Sequence, residues 1–250
     1  MPPRIHVIAG RKGGVGKTTL AVNLAAVTHA VLTNRRSPLH EATGGLDDEQ
    51  DPTVLLVNTD PQGSSVWWSG RVEGKEGLPY DIAQAEKPAE LQALRRTPYQ
   101  HIFVDTPGSL EDDRILQAVL DDCDDVIVPM EPEPLCFEPT RTTINDVLVP
   151  RGLPYRVVIN NWDPRDGVVD LKDTADYIKK MRWPVCNTIV RHYKIHTRAS
   201  AVGQVVTQYP KNRVAAEARE DMFCLALELG FGGSTAVPQQ TGIPRDAVEV

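Results

Sequence analysis

The 250-residue sequence predicts a doubly wound α/β fold, a mainly parallel sheet with helices on both faces. Three observations carry that expectation. Short runs rich in β-branched residues are apolar almost throughout, as in strands buried on both faces. Segments of helical periodicity stand between these runs, so strand and helix alternate. The first run also passes through a glycine-rich loop straight into a helix-like segment.

Each element follows in order. The first strand is expected at 5–9 (IHVIA), the loop at 10–19 (GRKGGVGKTT) and the first helix at 18–30. Later strands are expected at 53–58, 101–105, 125–130 and 155–160, and helices at 88–96, 111–121, 138–148, 171–181 and 213–229. Residues 33–52 are polar and contain Gly and Pro, which predicts a mobile loop within the first crossover. Residues 232–250 have few large apolar residues and no helical period, which predicts a disordered tail. Residues 1–231 are then one domain.

The net charge of −7, from 27 basic and 34 acidic residues, argues against a polyanion binder over the whole surface. Its distribution reads differently. Lys179, Lys180, Arg182, Arg191, Lys194, Arg198, Lys211 and Arg213 fall in one stretch with no Asp or Glu, a cationic face able to meet several phosphates. No helix-turn-helix pattern accompanies it, so sequence readout is not expected. Cys123, Cys136, Cys186 and Cys224 lack metal-ligand spacing and read as buried, reduced thiols. The sequence has no signal-like start and no apolar run approaching about 18 residues, so a cytoplasmic protein is expected.

The loop is a phosphate cradle by its chemistry. Gly13, Gly14 and Gly16 can take positive φ and let backbone N–H groups converge on an anion at the N-terminus of the next helix. Lys17 is then placed for β- and γ-phosphates and the Thr18 hydroxyl for Mg²⁺. In the spacing GxxxxGK[ST] the first glycine is replaced by Arg11, and a second lysine, Lys12, stands beside it. A fixed cation there would neutralise charge developing during phosphoryl transfer.

KGGVGKTT resembles the deviant Walker A motif of the ParA/MinD family of P-loop ATPases, and the chain looks closest to the small ParF-like partition proteins. The resemblance implies ATP and Mg²⁺ as cofactors, weak intrinsic hydrolysis, and nucleotide contacts from Gly13, Gly14, Val15, Gly16, Lys17, Thr18 and Thr19. It also implies an ATP-dependent homodimer in which Lys12 reaches the nucleotide of the other subunit. NTDPQG resembles the family's DxDPQG motif, with Asp60 orienting the attacking water and lying in the metal's outer shell, while Asn58 stands where the family has its first aspartate. VDTPG resembles a Walker B element, with Asp105 holding Mg²⁺ partly through water and Gly108 near the γ-phosphate. Pro129, Glu131 and Pro132 match the family's stretch leading to the dimer face. Asn160 is expected to read the adenine ring, a role Asn161 could equally serve.

Residues 189–206 resemble the segment before the last helix of partition ATPases, with Gly203 near its expected place and the frequent Glu-Ala-Pro triplet missing. The resemblance implies non-specific DNA binding, here by Arg191, Lys194, Arg198, Lys211 and Arg213, association with the nucleoid in the ATP state, and a ParB-like centromere-binding partner that stimulates hydrolysis to segregate plasmid or chromosome DNA. No membrane partner is expected. A MinD-like ATPase acting on a membrane surface is the alternative, and it needs an amphipathic basic C-terminal helix that residues 232–250 do not resemble. An iron–sulfur carrier would need bridging cysteines, and a small-molecule kinase or ligase would share the same loop.

Overall fold

The computed structural model describes residues 2–40, 53–60, 63–71, 77–108 and 113–231. Six parallel strands form one sheet: β1 (Arg4–Ile8), β2 (Val54–Asn58), β3 (Asp81–Gln84), β4 (His101–Asp105), β5 (Asp125–Met130) and β6 (Tyr155–Ile159). Their order is β3-β2-β4-β1-β5-β6, with β1 between β4 and β5. Five of the six coincide with the apolar runs. The exception, β3, is a four-residue edge strand, DIAQ, whose polar ends give no strand signal.

Eight helices cover the sheet among the described residues: α1 (Lys17–His40), α2 (Ser64–Ser69), α3 (Pro88–Gln92), α4 (Asp113–Leu120), α5 (Phe137–Thr142), α6 (Val169–Met181), α7 (Lys194–Ser200) and α8 (Arg213–Glu228). Strand side chains alternate between two cores. On one face Ile8, Leu56 and Phe103 meet Leu20 and Leu24 of α1 and Met222 and Leu225 of α8. On the other Val7, Ile102 and Val104 join Leu116 and Leu120 of α4 and Leu171 and Ile178 of α6. Leu20 and Leu24 are wholly buried, each stabilising the fold by about 2 kcal/mol through the area removed from water.

Helix α1 corrects the expected loop at 33–52. It runs on to His40, through residues 31–37 that hold neither Gly nor Pro and past Pro38. Residues 41–52 and the expected tail at 232–250 lie outside the described residues. The thiols are also more varied than expected: Cys136 and Cys186 are buried, Cys123 is half-buried and Cys224 exposed, all of them free.

Helix α5 continues through a π-helical stretch, Thr143–Leu148, and a short 3-10 turn that ends at Gly152 with φ 64°. At the amino edge of the sheet, buried His6 bonds Asp125 at 2.9 Å and His101 at 2.9 Å. Burial, with His6 and Arg4 adding to it, pushes His101 down to about 3.

Candidate active site

The carboxyl ends of β1, β2 and β4 carry the loop and the acidic residues, the edge at which open α/β sheets bind ligands. The loop leaves β1 and enters α1 with φ 84° at Gly14 and 82° at Gly16; Gly13, expected to share this conformation, does not have it. A Cβ on Gly16 would lie 2.4 Å from Asn160 Nδ2, so only glycine fits beneath that amide. Asn160 itself is buried and donates to Val15 O at 2.7 Å. Its amide serves as a strut under the loop.

Lys17 is 7% exposed, and its ammonium donates to Lys12 O at 3.1 Å. Burial lowers its pKa, while the charges of Asp105 and Asp60 act against that shift. Gly108 closes over the lysine, since a Cβ there would stand 3.1 Å from Gly13 Cα and 3.5 Å from Lys17 Nζ. The VDTPG segment, Asp60, Lys17 and the glycine loop are thus one constellation. Thr106 fixes this segment by donating to Ile8 O at 2.7 Å.

Asp105 is fully buried, and burial lifts its carboxyl to about 7 despite Thr18 and Lys17. The Thr18 and Ser65 hydroxyls lie beside it, yet neither carboxylate oxygen completes a hydrogen bond. An orphaned carboxylate next to a threonine hydroxyl at a phosphate loop is the donor set of a hard divalent cation, so these residues fit Mg²⁺.

The structure also accounts for Asn58, the departure in the NTDPQG motif. It lies opposite Asp105 in the β2–β4 ladder, is fully buried, donates to Asp60 O at 2.7 Å and accepts from Ser65 Oγ at 2.9 Å. A carboxylate there would face a buried carboxylate and lose its donor.

Two supports escaped sequence reasoning. The Arg11 amide donates to Thr143 Oγ1 at 3.2 Å, tying the loop to the π-helical stretch. Glu131 accepts from Asn161 Nδ2 at 2.5 Å, and Asn161, held at φ 63°, faces His192 through its carbonyl oxygen. Burial raises the Glu131 carboxyl, and the Asn161 amide and Lys12 charge oppose the rise, so Lys12 feels an acid of its own subunit.

No protein-family profile matches the chain. It is 34% identical over 228 residues, 91% of its length and 94% of the relative's, to the "Maintenance of carboxysome distribution protein A" of Gloeobacter kilaueensis. The chain belongs to the ParA/MinD family of ATPases. This ParA/MinD-family chain is also 28% identical to the chromosome-partitioning ATPase Soj of Thermus thermophilus over 84% of its length and 90% of that protein's. Its fold matches the Aquifex aeolicus MinC:MinD complex with a TM-score of 0.67 at 17% identity, covering 94% of this chain and 98% of the other. The family assignment makes the protein a P-loop ATPase of partition type.

The basic stretch is more divided in space than in sequence. Helix α8 supplies the acids that 179–213 lacks. Arg191, expected at DNA, is paired with Asp221 at 2.6–3.1 Å, a pair that docks α8. Glu228 accepts from the Asn187 and Thr188 amides, and Glu217 from Tyr193 and Arg213. Lys194, Arg198 and Lys211 are exposed and carry no ion pair among the described residues, while Arg213 is exposed with only Glu217 beside it. No helix among the described residues is long and apolar enough to cross a membrane.

Proposed function

We propose that the protein is a nucleotide-switched positioning ATPase: ATP closes two copies into a dimer, the dimer binds DNA without sequence preference, and a cargo-bound partner stimulates hydrolysis and release. The observation that carries this reading is the meeting of Lys17, Asp105, Asp60 and Gly108 at the glycine loop, which also holds the half-buried Lys12. Thr18 and Asp105 would hold Mg²⁺, which when bound supplies positive charge to the β- and γ-phosphate oxygens.

Lys17 neutralises the transferring phosphoryl group once its ammonium leaves Lys12 O for a phosphate oxygen. Asp60 orients the attacking water, and Gly108 brings the VDTPG backbone against the γ-phosphate position. Lys12 of each copy reaches the nucleotide of the other, so ATP and ADP differ in the association they support. Lys194, Arg198, Lys211 and Arg213 form the DNA-facing surface, doubled in the dimer. A ParB-like protein fits the role of partner where the cargo is DNA. The 34% identity to a carboxysome-distribution protein favours a second reading of the cargo, a protein body carried over the nucleoid by the same cycle.

Light scattering of wild type and Lys12→Ala with ADP or ATP, followed by duplex binding across a salt series, tests the reading. An ATP-only dimer, lost in the variant, with DNA affinity higher in the dimer than in the single subunit is the expected result. Nucleotide uptake that leaves the association state unchanged would overturn it.

A further inference from the structure

Residues 204–209, between α7 and α8, make hydrogen bonds to four elements. Trp68 of α2 donates its indole N–H to Gln204 O at 2.9 Å. Asn23 of α1 accepts from Val206 N at 2.7 Å and donates to Thr19 O at 2.8 Å, within a turn of the phosphate loop. The Tyr209 hydroxyl meets His196 Nδ1 of α7 at 3.0 Å, and Asn23 lies within reach of the same hydroxyl. Arg219 of α8 donates to Val206 O at 3.0 Å and Tyr209 O at 3.1 Å.

The placement of these partners gives the segment its meaning. Trp68 and Ser65 share helix α2, and Ser65 bonds Asn58, the last residue of β2, whose amide in turn donates to Asp60 O. Asn23 follows Thr18 and Thr19 on α1. His196 lies on α7 between Lys194 and Arg198, and Arg219 lies on the helix that begins with Arg213. Asn23, Val205, Val206 and Tyr209 are all buried, so movement of α1 or α2 cannot be absorbed by water at this point. Trp68 itself is 4% exposed, so its indole N–H has no solvent to turn to if Gln204 O moves away.

We propose that residues 204–209 are the coupling element of the molecule, with Trp68, Asn23 and Tyr209 as positioning residues that make the DNA affinity of α7 and α8 follow the nucleotide state. This rests on the DNA-binding reading above. Nucleotide-dependent shifts of the Asp60 loop arrive through Trp68, and those of the phosphate loop through Asn23. Both end on the same buried segment, whose displacement moves Lys194 and Arg198 of α7 and Arg213 at the start of α8 together. The coupling is reciprocal, because whatever factor ATP adds to DNA affinity, DNA adds to ATP affinity.

Tyr209→Phe deletes the hydroxyl and keeps the ring, while Trp68→Phe deletes the indole N–H together with part of the ring at a buried position, so a folded Tyr209→Phe is enough for the test. Duplex DNA affinity is measured with ATP and with ADP, and ATP affinity with and without DNA, for wild type and each variant. The expected result is that the ATP-to-ADP ratio of DNA affinities and the ratio of ATP affinities with and without DNA each fall about fivefold or more, with ATP affinity in the absence of DNA and DNA affinity in the ADP state within about twofold of wild type. A folded variant that keeps the wild-type ratio overturns the coupling role. If wild type shows no ATP-dependent DNA affinity at all, the DNA-binding reading itself fails and the coupling role falls with it.

Discussion

Single atoms decide the nucleotide site. Gly16 combines a φ of 82° with an amide 2.4 Å from where a Cβ would be, so Gly16→Ala is expected to cost about 2 kcal/mol or more and to abolish ATP binding. Urea unfolding and calorimetric titration with MgATP check both parts. Asn58 is the second such position. Asn58→Asp would set a second buried carboxyl opposite Asp105, whose own carboxyl already sits near 7. Two raised carboxyls are neutral in acid and in conflict in base, so the variant's loss of stability is expected to be larger at pH 8 than at pH 5. Unfolding curves at the two pH values decide it, and equal losses would count against like-charge conflict as the cause. Sequence reasoning brought Lys17, Asp60, Asp105 and Gly108 to one place because a motif encodes which strand end each side chain leaves. It could not tell that Asn160 faces Val15 O, because an amide at a strand end looks the same whether it serves a ligand or a loop.

Elements were legible in proportion to their apolar signal. Strands β1, β2, β4, β5 and β6 are buried on both faces and read directly, while β3, a polar edge, and α2, SSVWWS with no helical period, were missed. Helix α7 was missed because its inner face is made by His196 and Ala199 rather than large aliphatic residues. The acid-free run 179–213 misled in part, since Asp221, Glu217 and Glu228 reach it from α8. This division predicts two classes of arginine and lysine. Arg191→Ala leaves Asp221 almost buried without its partner and is expected to lower stability by about 2–3 kcal/mol, seen in thermal melts. Lys194→Ala and Arg198→Ala are expected to leave stability unchanged and to reduce the slope of log affinity for DNA against log salt by about 1 each. At the other edge, His101 has a pKa of about 3, below the usual 6.5 for histidine. The stabilisation from its neutral form is complete above about pH 6.5 and is lost as pH falls toward 3. His101→Gln should therefore lose less stability than wild type across that window, in melts taken from pH 7 to pH 3.

Over the whole molecule a charge of −7 surrounds a small cationic surface, so approach to DNA is productive in few orientations. Pairing two such surfaces in an ATP dimer is expected to roughly double the salt slope over that of a single subunit, which a titration in ATP and ADP would measure. The same division of charge bears on how the chain is made. Its cations at 179–213 precede α8, the helix that neutralises Arg191 and holds the Tyr193 region. During synthesis this stretch leaves the ribosome before its counter-charges, beside a surface of ribosomal RNA. Arg191 therefore stays without its carboxylate partner until α8 has emerged and docked.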